Sequence, residues 1–582
     1  MKVNYQYASP SMCVSQEGTT TLGFSPDCSR AEPVSFLGRL KNPLVFRDAM
    51  LMLREVVVSD SRVQKKERPE FFAWLDEEIG RRVCQHEQYL PGIREGLQQD
   101  MEQLLGKMGD TDQEIEKLRS VKRDLQKEID SYDVWKDYYQ LERKFWSFIK
   151  SRDLDLWFVL DPVITVHPDL VSFEAFSLDE SVYGCLSVDM AEFELLQEPE
   201  LGTTNIDFSA KLATEMERFR TYTDVTLSVN PGGFTVDTGL MPEYMEKKID
   251  LPESWIKGFN QVSSAAGLSG LEIELTPVDM YDICSFLRRR KEKSSPRYMK
   301  WVLEKNKPVR IIFEPFGTEL VLKSVYTGEK NREEKIWGRR RWLILERLIP
   351  LARAFKIRLL GFGMPQFITA DLGDMYLTVG FTSWSANDWV KGTAFNIMSG
   401  FIGEGNYPDV YRLLKEKRAM TLAQISEAFP DLPRSKTVSG VGELLKRGEG
   451  YFDPESGQIR FRQLCNVPIP RELYETTPLE IQVKELLDCG MEHFKVQYTA
   501  ANEYHFTNQY PGTDDETSLV IDQDGQLGKL GCGCKEFRRG PRNISAPCAH
   551  ILALYIVSAR FTRLKLDYDR VYKINDIMEV LL

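Results

Sequence analysis

Apolar and polar residues alternate along the first segment of the chain, VNYQYASPSMCVSQEGTTTLGFSP, and turn-forming Ser-Pro and Glu-Gly pairs interrupt the alternation. A period of two is typical of strands that are buried on one face. From Phe46 to Val58 the apolar residues instead recur with the period of a helix. We therefore predict a small β-meander followed by a helix as the first domain, residues 1–65.

A long charged region follows, and we predict that it forms a helical hairpin or coiled-coil arm, residues 66–150. Thr111 and Glu114 have the spacing of a capping box that opens its second helix. Beyond the box an apolar stripe recurs at three- and four-residue steps, interrupted by one lysine: Ile115, Leu118, Lys122, Leu125, Ile129 and Tyr132. The stripe fits an arm packed on its own domain, and also a coiled coil that dimerises or binds a partner. The broken heptad does not distinguish an arm packed on its own domain from a coiled coil that dimerises or binds a partner.

Between about Asp153 and Gly400, short β-type runs alternate with helical stretches. The β-type runs include LWFVL, VTLSV, VRIIF, IRLLGFG and MYLTVGF, and the helical stretches include AKLATEMERFR and RRRWLILERLIPLARAF. This alternation predicts two α/β regions, residues 151–300 and 301–404, within a chain whose overall class is α+β multidomain. Whether these regions form one domain or two stays open.

Two arginine triplets lie in this α/β body, at residues 288–290 and 339–341, and Trp337 and Trp342 flank the second. Arginine between aromatic residues is typical of a nucleic-acid surface, where guanidinium groups hold phosphates and bases stack on rings. Arginines are also common at helix ends, where they bond backbone carbonyls or pair with acids such as Glu333 and Glu334. Both interpretations stay open.

Residues 405–465 have the pattern of a winged helix. A helix from about Pro408 to Arg418 is followed by Thr421 and Gln424, which form the capping box of a second helix. A third helix is predicted from Ser435 to Arg447, and the β-type runs GYF and QIRFR flank a turn after it. Three helices and a two-stranded wing are the parts of the winged form of helix-turn-helix.

In a DNA-binding winged helix, the third helix enters the major groove and the wing touches phosphate. Candidates for such contacts here include Arg434, Lys436 and Arg460. From Arg434 to Arg462, however, six basic residues are offset by four acids, and binding to duplex DNA depends on the number of phosphates neutralised. A protein-interaction or purely structural role therefore stays open beside DNA binding.

The composition limits the range of partners. The 582 residues carry 75 basic and 87 acidic side chains, net charge −12, so any contact with nucleic acid must be a local basic patch. Most of the ten cysteines are scattered without a disulfide framework, which indicates a reduced protein. The chain has no apolar run of about eighteen residues and no secretory pattern at its N-terminus, so we expect a cytoplasmic protein without a membrane span.

Three cysteines and one of the five histidines lie together in GCGCKEFRRGPRNISAPCAH, as Cys532, Cys534, Cys548 and His550. Cysteines two apart in a turn can present both thiolates to one side, and a Cys-x-His pair at the start of a helix can face them. Zinc prefers four such ligands in a tetrahedron. The strand-like runs EYHFTN and SLVIDQ precede the cluster and the helical run AHILALYIVSARF follows it, so residues 466–582 are predicted to form a ββα zinc-finger domain.

With C-x-C, a thirteen-residue spacer and C-x-H in this context, GCGCKEF and PCAHILAL resemble the SWIM zinc-finger family. The runs RLLGFGMPQFITADLGDMYLTVGFTSWSANDW and GEGYFDPESGQIRFRQL resemble long bacterial SWIM proteins in which a winged helix precedes the finger. Proteins of that kind are often encoded beside MoxR-type AAA+ ATPases and von Willebrand A-type proteins. The resemblance implies one Zn²⁺ per chain, and because protein groups fill all four positions, the zinc is expected to be structural rather than catalytic.

Basic residues surround the cluster and are expected to contact a partner: Lys535, Arg538, Arg539 and Arg542. SWIM domains are associated with DNA binding and with protein interactions, and the patch favours an anionic partner over the alternative of a solvated basic loop. The sequence contains no P-loop, HExxH, GxSxG or kinase-like set, so we predict a protein that is not an enzyme.

We therefore predict a zinc-binding adaptor that recognises nucleic acid, with DNA favoured over RNA, or an acidic protein surface. A second hypothesis is a protein-interaction scaffold for a partner such as a MoxR-type AAA+ ATPase, without DNA contact. A third is an enzyme with an unrecognised site in the α/β body.

Overall fold

The structure is a computed structural model, and it describes these residues: 5–7, 11–16, 19–24, 26, 34–59, 95–100, 112–131, 162–206, 210–220, 224–230, 246–248, 253–292, 297–361, 364–382, 389–390, 395, 401, 405–465, 469, 478–488, 492–500, 502–511, 513, 515–522, 527–539, 547–558, 561 and 566–573.

The described residues form a mixed α/β chain with several sheets. Its first nineteen strands are β1 (Tyr5–Tyr7), β2 (Met12–Gln16), β3 (Thr19–Phe24), β4 (Phe36–Leu40), β5 (Val163–Val166), β6 (Leu170–Phe176), β7 (Val182–Asp189), β8 (Phe193–Leu195), β9 (Gly202–Asn205), β10 (Asp224–Val229), β11 (Glu246–Lys248), β12 (Leu271–Leu275), β13 (Met299–Leu303), β14 (Pro308–Phe313), β15 (Thr318–Val325), β16 (Arg332–Ile336), β17 (Ala354–Leu359), β18 (Gln366–Asp371) and β19 (Met375–Phe381). The remaining strands are β20 (Ala419–Thr421), β21 (Gly450–Asp453), β22 (Gln458–Phe461), β23 (Lys495–Tyr498), β24 (Glu503–Asn508), β25 (Thr517–Asp522), β26 (Leu527–Gly531) and β27 (Val571–Lys573).

The helices are distributed along the whole chain. They are α1 (Pro43–Val58), α2 (Asp112–Ser131), α3 (Ala210–Met216), α4 (Glu253–Ala266), α5 (Pro277–Arg289), α6 (Tyr407–Lys417), α7 (Leu422–Glu427), α8 (Arg434–Lys446), α9 (Pro478–Asp488), α10 (Lys535–Arg539) and α11 (Ala549–Ser558), together with the 3₁₀ helices Met190–Glu192 and Arg339–Leu348. Among the described residues, no helix is both long enough and apolar enough to cross a membrane.

The chain divides into two compact units, one comprising Met1–Ser61 and Phe158–Leu582 and the other Arg62–Trp157. In the second unit, most side chains described on α2 are exposed, and Leu118 and Leu125 are half-buried. These two leucines lie seven residues apart, so they share one face of the helix. The rest of the predicted arm lies largely outside the described residues.

An eight-stranded antiparallel sheet forms the centre of the first unit, in the order β12-β17-β18-β19-β7-β6-β5-β9. Its strands come from both sides of residue 300, so one sheet spans the two regions that the sequence pattern separates. Helix α1 packs on the sheet with Phe46, Met50 and Leu53 fully buried. Gly184 on β7 allows this approach, because a Cβ atom there would lie 2.8 Å from Cδ1 of Leu53.

Two smaller sheets adjoin the central one. The first has the order β2-β3-β10-β4-β8, and its β3–β10 pair is parallel. The second is antiparallel, in the order β15-β14-β13-β16, and buries Trp301 and Phe313 on one face beneath α5 and the 3₁₀ helix Arg339–Leu348. The first of these sheets joins segments that are far apart in the chain, because β3 and β4 both pair with β10, whereas the strands of the second sheet are consecutive.

Residues 405–465 have a hydrophobic core of their own. Helices α6, α7 and α8 pack with the three-stranded sheet β20-β22-β21 around Val410, Leu414, Ile425 and Leu444, all fully buried. Thr421 caps α7 in a complete capping box with Gln424. We refer to residues 405–465 as the helical module.

The C-terminal region contains a second five-stranded sheet, in the order β26-β25-β24-β23-β27. Helix α11 packs on β24 and β25, and α9 packs on α11. The apolar face of α11 is fully buried through Ile551, Leu552 and Leu554. The cysteine and histidine cluster lies where β26 and α11 meet.

Candidate metal centre and surrounding basic residues

Two chain segments carry the four predicted metal ligands. Cys532 and Cys534 lie in the turn between β26 and α10, and Cys548 and His550 lie at the start of α11. Glycine is required at position 533, between the two cysteines, because a Cβ atom there would lie only 2.8 Å from the backbone nitrogen of Asp515. The tight turn brings the thiols of Cys532 and Cys534 to the N-terminal end of α11.

The four donor atoms of Cys532, Cys534, Cys548 and His550 all lie within 4.8 Å of one another. A tetrahedral zinc site with Zn–S bonds near 2.3 Å has sulfur atoms about 3.8 Å apart, so the cluster is compact enough for one ion. Cys534 and Cys548 are buried, and Cys532 and His550 are half-buried. The cluster could therefore hold a metal ion, and three thiols with one imidazole are a donor set consistent with zinc.

The surroundings of the cluster also fit a metal. The backbone N–H of Phe537 donates to Sγ of Cys534 at 3.3 Å, and Oγ1 of Thr517 lies 3.5 Å from Sγ of Cys532. Such hydrogen bonds stabilise thiolate ligands. Nδ1 of His550 is buried and has no hydrogen-bond partner among the described residues. Coordination by the imidazole would account for a buried ring group that is otherwise not fully satisfied.

The pKa values of the three thiols are shifted in different directions. Hydrogen bonding from Cys548, with a further contribution from His550, lowers the pKa of Cys532. The same interaction with Cys532, together with burial, raises the pKa of Cys548, and burial raises that of Cys534. A cation at the centre would favour the thiolate form of all three groups, because zinc binding by cysteine displaces the thiol protons.

The basic residues predicted near the cluster lie on or beyond α10. Lys535 and Arg538 are exposed on this helix, and Arg538 forms an ion pair with Asp515 at 3.0 Å. Arg539 is the last residue of α10, and Arg542 lies outside the described residues. Lys535 and Arg538 thus lie on the helix that directly follows Cys534.

The three arginine and lysine candidates of the helical module differ in their environment. Arg434 and Lys436 lie exposed in the first turn of α8. Arg460 lies on β22 and is only 2% exposed, with Asp453 and Asp169 both 2.9 Å from its guanidinium group. The guanidinium group of Arg460 is paired with these carboxylates inside the protein. Arg460 therefore does not lie on the exposed surface where the sequence pattern placed it.

Sequence reasoning did not predict the ion pair that Arg462 forms two residues further along the chain. Arg462 is 1% exposed and donates to both carboxylate oxygens of Glu174, at 2.6 and 2.7 Å. Tyr183 donates to the same carboxylate at 2.7 Å. Glu174 and Tyr183 belong to the central sheet, so the ion pair joins that sheet to the helical module. No local pattern indicates a contact between residues 288 positions apart in the chain.

The arginine triplet 339–341 is used within the fold. Arg339 donates to the carbonyl oxygens of Tyr298 and Glu314, and Arg340 donates to that of Leu287. Arg341 bonds the carbonyl oxygen of Ser181 and the hydroxyl of Thr382. The sequence left open whether these arginines bind nucleic acid or bond backbone carbonyls, and in the structure all three donate to backbone carbonyl oxygens.

Comparison with known proteins adds little to this geometry. No family model matches the chain. No curated protein matches it either. Among solved structures, Proliferating Cellular Nuclear Antigen from Entamoeba histolytica aligns with 13% identity and a TM-score of 0.27, over 38% of this chain and 89% of that one. The DNA polymerase sliding clamp from Bacillus subtilis aligns with 11% identity and a TM-score of 0.25, over 38% and 56%. Likenesses at these scores carry no argument about fold or function.

Proposed function

We propose that this protein is a zinc-binding adaptor without enzymatic activity, and that its C-terminal region is a ββα finger of the SWIM type. The observation that carries the proposal is the Cys532, Cys534, Cys548 and His550 cluster, whose donor atoms lie within 4.8 Å of one another. Bound zinc would supply structural cross-linking, because four protein groups complete a tetrahedral set. These four residues fix α10 and α11 to the end of β26.

The proposed partner is nucleic acid, with DNA favoured over RNA. Lys535 and Arg538 are exposed next to the cluster, and Arg539 and Arg542 follow them in the sequence. In a chain with net charge −12, such residues provide a local positive field. The proposed contact is therefore electrostatic, between this basic segment and phosphates.

The helical module provides a second part of the proposed contact. We assign it as a winged helix in which Arg434 and Lys436, exposed in the first turn of α8, contact phosphate. The hairpin β21–β22 is left out of this contact, since Arg460 on β22 and Arg462, which directly follows β22, are buried against Asp169 and Glu174.

A titration tests the finger as the nucleic-acid contact. Lys535→Glu/Arg538→Glu should weaken binding of a labelled DNA of about 20 nucleotides by about tenfold or more, and salt should weaken wild-type binding steeply. Fluorescence anisotropy at two salt concentrations measures both effects, and elemental analysis of the same sample should give one zinc per chain. The matched control is Lys305→Glu/Lys307→Glu, which reverses two exposed lysines in the turn between β13 and β14. Equal affinity of the two double variants, or salt-independent binding, would refute the finger contact.

A scaffold for a MoxR-type AAA+ ATPase is a second candidate, supported by the separate unit Arg62–Trp157. On α2 of that unit, Leu118 and Leu125 share one face and are surrounded by exposed charged residues, an arrangement suited to a partner helix. Binding to a purified ATPase of this class that is lost in Leu118→Lys/Leu125→Lys, together with no DNA binding by the wild type, would favour this candidate.

A further inference from the structure

A basic and aromatic surface lies at one end of the four-stranded sheet, where β13 begins and β14 and β16 end. The end of α5 and the start of the 3₁₀ helix Arg339–Leu348 lie at the same end, because Arg340 donates to the carbonyl oxygen of Leu287 at 2.7 Å. We call this surface the sheet-end patch. Its exposed basic residues are Arg288, Arg289, Arg290, Lys291, Arg297, Lys335 and Arg340, and its half-buried rings are Tyr298, Phe316 and Trp337.

The rings and the cations of the patch are interleaved. The guanidinium carbon of Arg290 lies 6.0 Å from the ring centre of Phe316, and that of Arg339 lies 5.6 Å from the same ring. Nζ of Lys335 lies 5.2 Å from the ring centre of Tyr298. The rings of Tyr298 and Trp337 are 5.5 Å apart and inclined by 54°. Aromatic faces between cations are the combination that holds bases and phosphates together.

The charge of the patch is not balanced by the acids near it. Arg288 pairs with Glu346, but in the part of the chain that the structure describes, no ion pair engages Arg289, Arg290, Lys291 or Arg297. Burial and the positive charges of Arg297 and Arg340 lower the pKa of Arg339, against the opposing effect of Glu292 and Glu314. The seven exposed basic residues of the patch outnumber the acids near them, Glu292, Glu314, Glu333 and Glu346, so positive groups outweigh negative ones at this site, although the whole chain is acidic.

Lys335 of the patch increases this excess. Lys300 on β13 lies directly opposite Lys335 on β16 in the strand register. Like charges placed opposite one another across two strands are destabilising. Lys300 is compensated by Glu333 at 2.9 Å, whereas Lys335 is exposed and lies over Tyr298. A phosphate group near Lys335 would relieve the remaining repulsion.

We propose that the sheet-end patch binds single-stranded nucleic acid, with phosphates on the end of α5 and bases against Tyr298, Trp337 and Phe316. Single strands fit better than a duplex because only unpaired bases can stack on such rings. An acidic protein segment would use the cations but not the aromatic faces. This inference deepens the proposed function and rests on it in taking nucleic acid as the partner, but it assigns a separate surface.

A matched set of full-length variants tests the assignment. Arg289→Glu/Lys291→Glu reverses two exposed charges of the patch, and Lys305→Glu/Lys307→Glu reverses two at the opposite end of the same sheet, where β13 ends and β14 begins. In anisotropy titrations with labelled oligothymidylate of about 20 nucleotides, the patch variant should bind about tenfold more weakly than wild type, and the control within about twofold. Equal affinity of patch variant and control overturns the inference.

The same titrations separate this inference from the proposed function. Weak binding by Lys535→Glu/Arg538→Glu with normal binding by the patch variant supports the finger and overturns the patch. The reverse result supports the patch and overturns the finger contact. Failure of wild type to bind the oligonucleotide, or binding of a labelled polyglutamate peptide in its place, overturns the inference in favour of a protein partner.

Photo-cross-linking of wild type gives a readout that does not depend on the folding of a variant. Oligothymidylate carrying 5-iodouracil is irradiated with the protein, and cross-linked peptides are identified by mass spectrometry. Cross-links at Tyr298, Phe316 or Trp337 are the expected result. Cross-links confined to other parts of the chain would overturn the inference.

Discussion

Individual arginines of this protein have different roles that local sequence does not distinguish. Arg434 is exposed, Arg460 is buried between two carboxylates, and Arg341 bonds backbone and hydroxyl oxygens. Residue type and local spacing identified the four cluster residues, because two short pairs of the sequence contain them. They did not identify the buried arginines, because Asp169 and Glu174, which pair with Arg460 and Arg462, lie far away in the sequence.

One glutamate should make stability depend on pH. Burial raises the pKa of Glu334 to about 7, from 4.5, with Arg332 opposing and Asp522 adding to the effect. The folded state therefore binds this proton more tightly than the unfolded state. Its contribution to stability is complete below about pH 4.5 and is lost as pH rises through about 7.

Glu334→Gln should remove this loss, which is on the order of 2 kcal/mol. Urea unfolding at a series of pH values measures it as the difference between the wild-type and variant free energies of unfolding. Glu333→Gln, at the exposed neighbouring position on β16, is the control and should keep the wild-type pH dependence. A variant curve parallel to that of wild type from pH 4.5 to 7 would contradict the assignment.

At the scale of elements, the periodicity and capping patterns located several helices closely. The helix predicted from about Pro408 to Arg418 is Tyr407–Lys417, and the capping box of Thr421 and Gln424 is present. The long helix predicted from RRRWLILERLIPLARAF is instead a 3₁₀ helix, Arg339–Leu348, and the final Ala-Phe of that run begins β17. The arginine side chains of the triplet donate to backbone carbonyls of segments that lie elsewhere in the chain. Local sequence patterns do not predict such tertiary contacts.

The zinc cluster gives a prediction for the elements that it joins. Cys534→Ser should abolish stoichiometric zinc and expose α10 and α11 to hydrogen exchange, because metal binding in such sites contributes on the order of 10 kcal/mol to folding. Treatment of wild type with a strong chelator should have the same effect. Cys465→Ser, a buried cysteine outside the cluster, is the control and should retain zinc. Unchanged protection of α11 in zinc-free Cys534→Ser would contradict a structural role.

At the scale of the molecule, sheet order is the part of the fold that sequence patterns did not predict. The runs VRIIF and MYLTVGF were recognisable as strands and lie in β14 and β19. Their partners depend on which distant segments bury complementary faces, and neither alternation nor composition encodes that choice. The attachment of the helical module to the central sheet through Arg462 and Glu174 is a result of the same kind.

Removing one partner of this buried pair should weaken the whole unit. Arg462→Met leaves the carboxylate of Glu174 buried without its cation and should lower the free energy of unfolding by about 3–5 kcal/mol. Arg462→Met/Glu174→Leu should recover most of that loss, because no uncompensated charge remains. Urea denaturation of the two variants and of Glu174→Leu completes a double-mutant cycle. Additive effects of the two substitutions would show that the pair is not coupled.

The strand order of the central sheet also determines how long one strand waits for its partner during synthesis. Strand β7 pairs with β6 immediately before it, but its other neighbour is β19, with Val182 opposite Phe381. At a translation rate of about 5–20 residues per second, roughly 10–40 seconds separate the emergence of these two strands. During that interval the nascent β6–β7 hairpin presents an unpaired edge, the kind of surface that joins to other chains. Slow elongation between them would therefore favour aggregation of this protein, and chaperone binding to the nascent hairpin would oppose it.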